Sequence, residues 1–149
     1  MSGLATLIKL AERRAQEAVL DWQRLTARRD DAGGKLLRLQ QHRQVYRDMM
    51  QTGLRRGMPA ATIVAHLKFI AQIEAVTVRQ QSEFGELEAA CAKQYDLVVN
   101  ARREQRIYEV LSEQIRARAA TAASRRQHLE TGEILQRAAR TRPPFLFDQ

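Results

Sequence analysis

One apolar pattern in the first third of the chain limits what it can fold into. Apolar residues recur at alternating spacings of three and four between Leu4 and Met50, and only Arg29 and Arg43 interrupt the series. The series is Leu4, Ile8, Ala11, Ala15, Ala18, Trp22, Leu25, Arg29, Ala32, Leu36, Leu39, Arg43, Tyr46 and Met50. Its mean spacing is the period of a coiled-coil seam, a narrow apolar stripe along one helix. One helix cannot bury such a stripe alone, so the pattern predicts a second helix packed against it.

A second and weaker seam lies in residues 60–140, which contain no proline. Polar residues occupy seven of its twenty positions, among them Thr77, Gln80, Gln94 and Gln105. Its apolar members are Ile63, Ile70, Ile73, Phe84, Leu87, Cys91, Val98, Ala101, Tyr108, Ile115, Ala119, Ala122 and Leu129. The seam therefore predicts a second long helix that pairs with the first.

The two seams are separated by a segment with strong turn signals. Gly53, Gly57 and Pro59 fall within seven residues, and Pro59 suits the first turn of a following helix. We predict an all-α fold, a long two-helix antiparallel coiled-coil hairpin in a single domain over residues 1–149. Its predicted parts are helix 1 at about 4–50, the turn at 51–59, helix 2 at about 60–140, and a flexible tail at 141–149.

The glycine pair at 33–34 allows two interpretations. Two glycines within a helix cost roughly 2 kcal/mol relative to alanines, so the first helix could end there. The seam nevertheless continues from Ala32 to Leu36 without a change of phase. We favour one continuous helix that is bent or softened at the pair.

The unequal lengths of the helices predict an overhang. A turn centred near residue 55 places Leu4 opposite about Arg106, which leaves residues 107–140 without a partner over about 50 Å. Seven Arg and only two Glu lie between 116 and 142. Because an isolated helix is marginal in water, we expect this overhang to bind another molecule.

Composition argues against an enzyme or a cofactor site. The chain has a net charge of +8, a single cysteine (Cys91) and scattered histidines, without a phosphate-binding glycine motif or metal-ligand spacing. A two-helix hairpin also lacks a concave pocket for catalysis. We therefore expect neither catalysis, nor a cofactor, nor a metal. The positive charge suits nucleic acid, acidic lipid or an acidic protein, and composition does not separate these partners.

Four segments carry a resemblance to a known family. They read LATLIKLAERRAQEA at 4–18, HRQVYRDMMQTG at 42–53, LKFIAQIEAV at 67–76 and LQRAARTRPP at 135–144. In these segments, and in its length, charge and hairpin plan, the chain resembles the FliJ family of the flagellar type III export apparatus. The resemblance implies a coiled coil similar to the central stalk of rotary ATPases. Its terminal end would enter the hexameric ring of the export ATPase FliI and promote assembly and activity of that ring. The resemblance also implies contacts with the export gate protein FlhA and with export chaperones.

The resemblance further suggests which residues make these contacts. We expect the ATPase ring to bind the overhang at Arg116, Arg118, Arg125, Arg126, Gln136, Arg137 and Arg140. The positions that match the gate contact are Lys35, Leu39, His42, Tyr46, Phe69, Ile73, Val76 and Gln80. Leu39, Tyr46 and Ile73 also fit the seams, so a core role and a contact role remain open for them. Phe69 and Val76 lie off the seam, and exposure there would favour binding.

Other functions remain open on the sequence. The chain could be the equivalent stalk of a virulence-type injectisome, a basic nucleic-acid-binding coiled coil, or a membrane-surface amphipathic helix. The flagellar interpretation implies a cytoplasmic protein that is peripheral at the inner face of the cell membrane at the flagellar base, with a role in motility and chemotaxis. It also implies no nucleic-acid partner.

Overall fold

The computed structural model describes residues 2–141, in which two long α-helices pack against each other. Helix α1 is Ser2–Arg55 and helix α2 is Ala60–Arg140. At a rise of 1.5 Å per residue, α1 is about 80 Å long and α2 about 120 Å. The described residues contain no strand. The predicted all-α helical hairpin is confirmed, whereas positions 142–149 of the predicted tail lie outside the described residues.

The seam predicted for α1 is the side of that helix that faces α2. All fourteen positions of the series are buried or partly buried, and Ala11, Ala15 and Ala32 are the most deeply buried. Alanine at these positions allows the helix axes to approach closely. The α2 seam is likewise covered as far as Ile115, but its later members are exposed. The core of the protein is thus a narrow line between two helices.

Polar side chains in the α2 seam reach the backbone of α1. The Gln80 amide donates a hydrogen bond to the Ala32 carbonyl oxygen at 3.2 Å, and the Gln94 amide donates to the Ala18 carbonyl oxygen at 3.1 Å. Both carbonyls belong to alanines, whose small side chains leave the backbone accessible. These bonds satisfy two amides that would otherwise be costly to bury. They also favour the register in which Gln80 lies opposite Ala32 and Gln94 lies opposite Ala18.

The turn is tighter than the sequence suggested. Gly53 remains helical, and α1 ends in a Schellman motif in which the Met58 N–H donates to the Gly53 carbonyl at 3.0 Å and the Gly57 N–H donates to the Leu54 carbonyl at 3.3 Å. Gly57 has φ +84, a left-handed conformation that glycine adopts without strain. The predicted turn at 51–59 was therefore too long, because α1 continues through Gly53 to Arg55, and its terminating glycine is Gly57.

Pro59 occupies the position before α2 and not its first turn. It has φ −57 and ψ 145, and its carbonyl accepts the Ile63 N–H at 3.1 Å as the helix begins. Its ring fixes the φ angle at the exit of the turn without removing a helical hydrogen bond. The short connection reverses the chain and places the helices side by side.

The longer α1 changes the register that the sequence suggested. Leu4 and Ile8 lie beside Ser112 and Ile115, about two helical turns beyond the Arg106 that we expected opposite Leu4. The overhang consequently begins near residue 117 and not at 107. It is about 36 Å long up to Arg140, shorter than the 50 Å estimated from a turn at residue 55.

Helix α1 passes through the glycine pair without a break. A Cβ atom at Gly33 would lie 3.1 Å from Cε2 of Phe84, whereas one at Gly34 would meet only Arg38 Nη1 at 3.8 Å. The ring of Phe84 therefore packs directly over the backbone at Gly33. The continuous helix that we favoured is the one observed, and one of the two glycines has a packing role.

Candidate partner-binding surfaces

Five of the eight residues matched to the gate contact line a groove in the half of the hairpin near the turn, together with Arg38. Lys35, Arg38, Leu39 and His42 from α1, with Val76 and Gln80 from α2, surround an open space of about 360 Å³. We call this space the gate groove. Leu39 and Val76 are its apolar lining residues, and Lys35, Arg38, His42 and Gln80 are its polar ones. Such a groove suits an apolar side chain with nearby acceptors or negative charges.

An aromatic pair extends this surface toward the turn. The rings of Tyr46 and Phe69 lie 4.5 Å apart between centroids and are tilted by 58°. Phe69 is 42% exposed and Tyr46 is partly buried, so the pair presents an aromatic surface to solvent. Tilted pairs at this distance are attractive beyond the apolar area that they bury. The pair joins the two helices, since Tyr46 belongs to α1 and Phe69 to α2.

The structure separates the core members of the gate-contact set from its surface members. Ile73 is only 9% exposed and belongs to the core in this structure. Leu39 and Tyr46 are partly buried, so each contributes to both the seam and the surface. His42, Phe69, Val76 and Lys35 are exposed, and Gln80 is partly buried. Phe69 and Val76 therefore meet the condition that favours binding over a core role.

The overhang forms the second surface. Apart from Gly132, which is partly buried, every residue of 117–140 is exposed, and Leu129 reaches 70%. All seven residues expected to bind the ring are exposed, and Arg116 lies at the base of the overhang beside Leu4 and Ile8. Five Arg and two Glu occupy 117–140, so the segment is both basic and apolar.

One further groove near the turn was not anticipated from the sequence. Val45, Asp48, Met49, Thr52, Gly53 and Arg56 line an open space of about 460 Å³. Val45, Met49 and Thr52 repeat at spacings of four and three outside the seam, which is the signal that the sequence offered. The groove lies on α1 beyond Tyr46, so it can extend the contact area of the aromatic pair.

The described residues of these surfaces do not bring potential metal ligands together. Within residues 2–141, no three His, Cys, Asp or Glu side chains come together in a possible metal site. Cys91 is buried between the helices. The arrangement offers shape, charge and apolar area, which are the properties of a binding surface.

Comparison with models of protein families identifies the family to which this helical hairpin belongs. Residues 1–143 match the family described as Flagellar FliJ protein. The chain belongs to the FliJ family. Neither the comparison with curated proteins nor the comparison with solved structures finds a match. Membership of the FliJ family makes the chain a component of flagellar type III export, and the helical hairpin agrees with the non-catalytic role of that family.

Proposed function

We propose that this FliJ-family chain is a cytoplasmic stalk that binds the export ATPase FliI through its overhang and the gate protein FlhA through the gate groove. Export chaperones would be further partners. The protein would act at the inner face of the cell membrane at the flagellar base. The family match favours this flagellar role over the corresponding stalk of an injectisome.

The uncovered overhang is the observation that carries the proposal. Leu129, Ile134 and Leu135 are each at least 65% exposed on the overhang, a segment of α2 in which every residue from 117 to 140 except Gly132 is exposed. Covering a Leu or Ile side chain fully contributes about 1.5–3 kcal/mol, so a partner gains substantially by enclosing them. The excess of Arg on the same segment favours a partner whose contact surface is acidic.

Hydrolysis of ATP by the cognate FliI, measured with and without this protein, tests the ring contact. Removal of 117–149 deletes the overhang but retains every contact between α1 and α2 near Leu4 and Ile115. We expect this truncation to abolish stimulation of hydrolysis while the hairpin stays helical by circular dichroism and keeps the association state of the full-length protein by sedimentation. Full stimulation by the truncated protein would refute ring binding through the overhang.

Adjacent arginine pairs provide a matched control for charge. Arg125→Gln with Arg126→Gln lies on the overhang, whereas Arg102→Gln with Arg103→Gln lies on the paired shaft, and all four residues are exposed. We expect the overhang pair to raise the concentration needed for half-maximal stimulation about tenfold, and the shaft pair to change it less than twofold. Equal effects would point to net charge and not to the overhang. Tight, salt-sensitive binding of duplex DNA without any effect on FliI would favour the nucleic-acid alternative.

Two valines test the gate contact separately. Val76 lines the gate groove, and Val78 is exposed on a different side of the same helix. We expect Val76→Ala and Phe69→Ala to weaken binding of the cytoplasmic domain of FlhA by about tenfold each, as truncation of an energetically dominant interface side chain does. Val78→Ala should leave binding unchanged. Loss of binding with Val78→Ala alone would place the contact on the other side of α2.

A further inference from the structure

The turn end of the hairpin combines exposed apolar side chains with an excess of positive charge. Residues 49–73 contain no Asp or Glu, but they contain Arg55, Arg56 and Lys68. Leu54, Val64 and Leu67 are each about half exposed in this segment. We define the tip surface as the set of these six residues: Leu54, Arg55, Arg56, Val64, Leu67 and Lys68. Within the described chain, about half of each apolar member of this surface remains uncovered.

An ion pair shows that the two leucines lie on one side of the hairpin. Arg47 Nη2 and Glu74 Oε1 are 2.6 Å apart across the two helices. Leu54 follows Arg47 by seven residues and Leu67 precedes Glu74 by seven, which is two helical turns in each helix. Both leucines therefore lie on the side marked by this ion pair, nearer to the turn. Val64 precedes Leu67 by three residues and shares its face of α2.

The tip surface is distinct from the gate groove. Leu67 and Val76 are nine residues apart, which is two and a half helical turns, so they point to opposite sides of α2. A partner in the gate groove leaves the tip surface uncovered. The two surfaces can therefore be occupied at the same time by partners that leave free the neighbouring groove, which Arg56 lines together with Asp48 and Met49.

The apolar character of α2 also bears on a membrane contact. By length and composition, this helix contains a stretch apolar enough to cross a membrane. That property alone is weak, because core helices of soluble proteins share it. In this protein Ile70, Ile73 and Thr77 are buried against α1, so only the outer side of α2 can contact lipid. Such a geometry suits contact with a bilayer surface and not a span across it.

We propose that the tip surface binds an anionic lipid bilayer. Leu54, Val64 and Leu67 enter the boundary between headgroups and acyl chains, while the Arg55, Arg56 and Lys68 side chains extend to lipid phosphates. The absence of acid from residues 49–73 reduces repulsion from a negative membrane surface, because the nearest acids are Asp48 and Glu74 and the latter is paired with Arg47. The same three positive charges would repel a second copy of this surface, which argues against self-association here.

Vesicle binding by the full-length protein tests this proposal. We expect co-sedimentation with phosphatidylcholine vesicles that contain about 30 mol % phosphatidylglycerol, and at least about tenfold weaker binding without the anionic lipid. Equal binding to both compositions, or binding to neither, would overturn the proposal. Leu54→Gln with Leu67→Gln should weaken binding about tenfold. Leu37→Gln is the control, because Leu37 is 55% exposed on the shaft and Leu67 is 51% exposed at the tip.

Two further measurements separate the tip surface from adsorption through net charge. Arg55→Gln with Arg56→Gln should weaken binding at least about tenfold, and Arg125→Gln with Arg126→Gln should weaken it less than twofold. Equal losses would show that the overhang or the total charge carries the binding. Lipids brominated on the acyl chains should quench the tryptophan fluorescence of the Leu67→Trp variant. They should not quench the fluorescence of the parent protein, which comes from Trp22 alone. Absence of quenching in that variant would rule out insertion of the tip.

Discussion

The two adjacent glycines of α1 allow a stringent test of how closely the helices pack. Alanine at either position removes the same penalty, because glycine costs about 1 kcal/mol relative to alanine within a helix. Gly34 has room for a methyl group, with Arg38 Nη1 as the nearest atom at 3.8 Å, whereas at Gly33 the new Cβ would lie 3.1 Å from the Phe84 ring. Any difference between the two variants therefore measures the contact with Phe84.

The expected magnitudes follow from these distances. Gly34→Ala should raise the free energy of unfolding by about 1 kcal/mol. For Gly33→Ala, carbon atoms prefer separations of about 3.5–4.0 Å, so the ring has to move by about half an ångström, and overpacking of this kind costs about 1–3 kcal/mol. The two variants should differ by about 2 kcal/mol, which corresponds to about 4–8 °C in Tm for a chain of this size.

Thermal unfolding followed by circular dichroism, with Trp22 fluorescence as a second probe, measures this difference. Gly85→Ala is a further control, because nothing lies within 4 Å of a Cβ at Gly85. Gly33→Ala combined with Phe84→Leu should recover part of the lost stability, because the smaller side chain can move away. If Gly33→Ala and Gly34→Ala raised Tm equally, the close approach of Phe84 to the α1 backbone would be wrong.

Three other substitutions test the line of contact between the helices by chemical unfolding. Trp22→Ala should cost about 2 kcal/mol, less than for a fully buried tryptophan, because Trp22 is partly buried and its ring lies 5.9 Å from that of Tyr95; a change near zero would contradict this contact. Arg43→Met should stabilise the protein by about 1 kcal/mol, since Arg43 Nε is buried without a hydrogen-bond partner; destabilisation would mean that the guanidinium is satisfied. Gln94→Leu should leave stability within about 1 kcal/mol, because added apolar burial offsets the lost bond to Ala18; a loss above about 3 kcal/mol would contradict that balance.

The helical hairpin could be predicted because its main signal is local. A repeat of three and four residues defines one face of a helix whatever that face contacts, and every position from Leu4 to Met50 in the series proved at least partly covered. The closing position of α1 could not be predicted in the same way. Gly53 and Gly57 carry equal turn signals in the sequence, and only the backbone hydrogen bonds of the Schellman motif distinguish them.

The small error in the predicted end of α1 produced a larger error in the predicted start of the overhang. Each residue added to α1 moves the pairing of every later residue, so the overhang began near 117 and not at 107. The exposure of Phe69 and Val76 agrees with their position off the seam, but the pairing of Phe69 with Tyr46 depends on the register and needed the structure. The tip surface was missed because its apolar residues lie outside the seam.

The two glutamine-to-carbonyl bonds have a mechanical consequence for the free end. Gln80 and Gln94 are fourteen residues apart, as are their acceptors Ala32 and Ala18, so the two bonds repeat with the period of two heptads. A slip of one heptad that shortened the overhang would bring both amides against leucines, Leu39 and Leu25, and would change the reach of the free end by about 10 Å. These two neutral side chains therefore favour one register of the helices, and that register sets how far the overhang extends beyond α1.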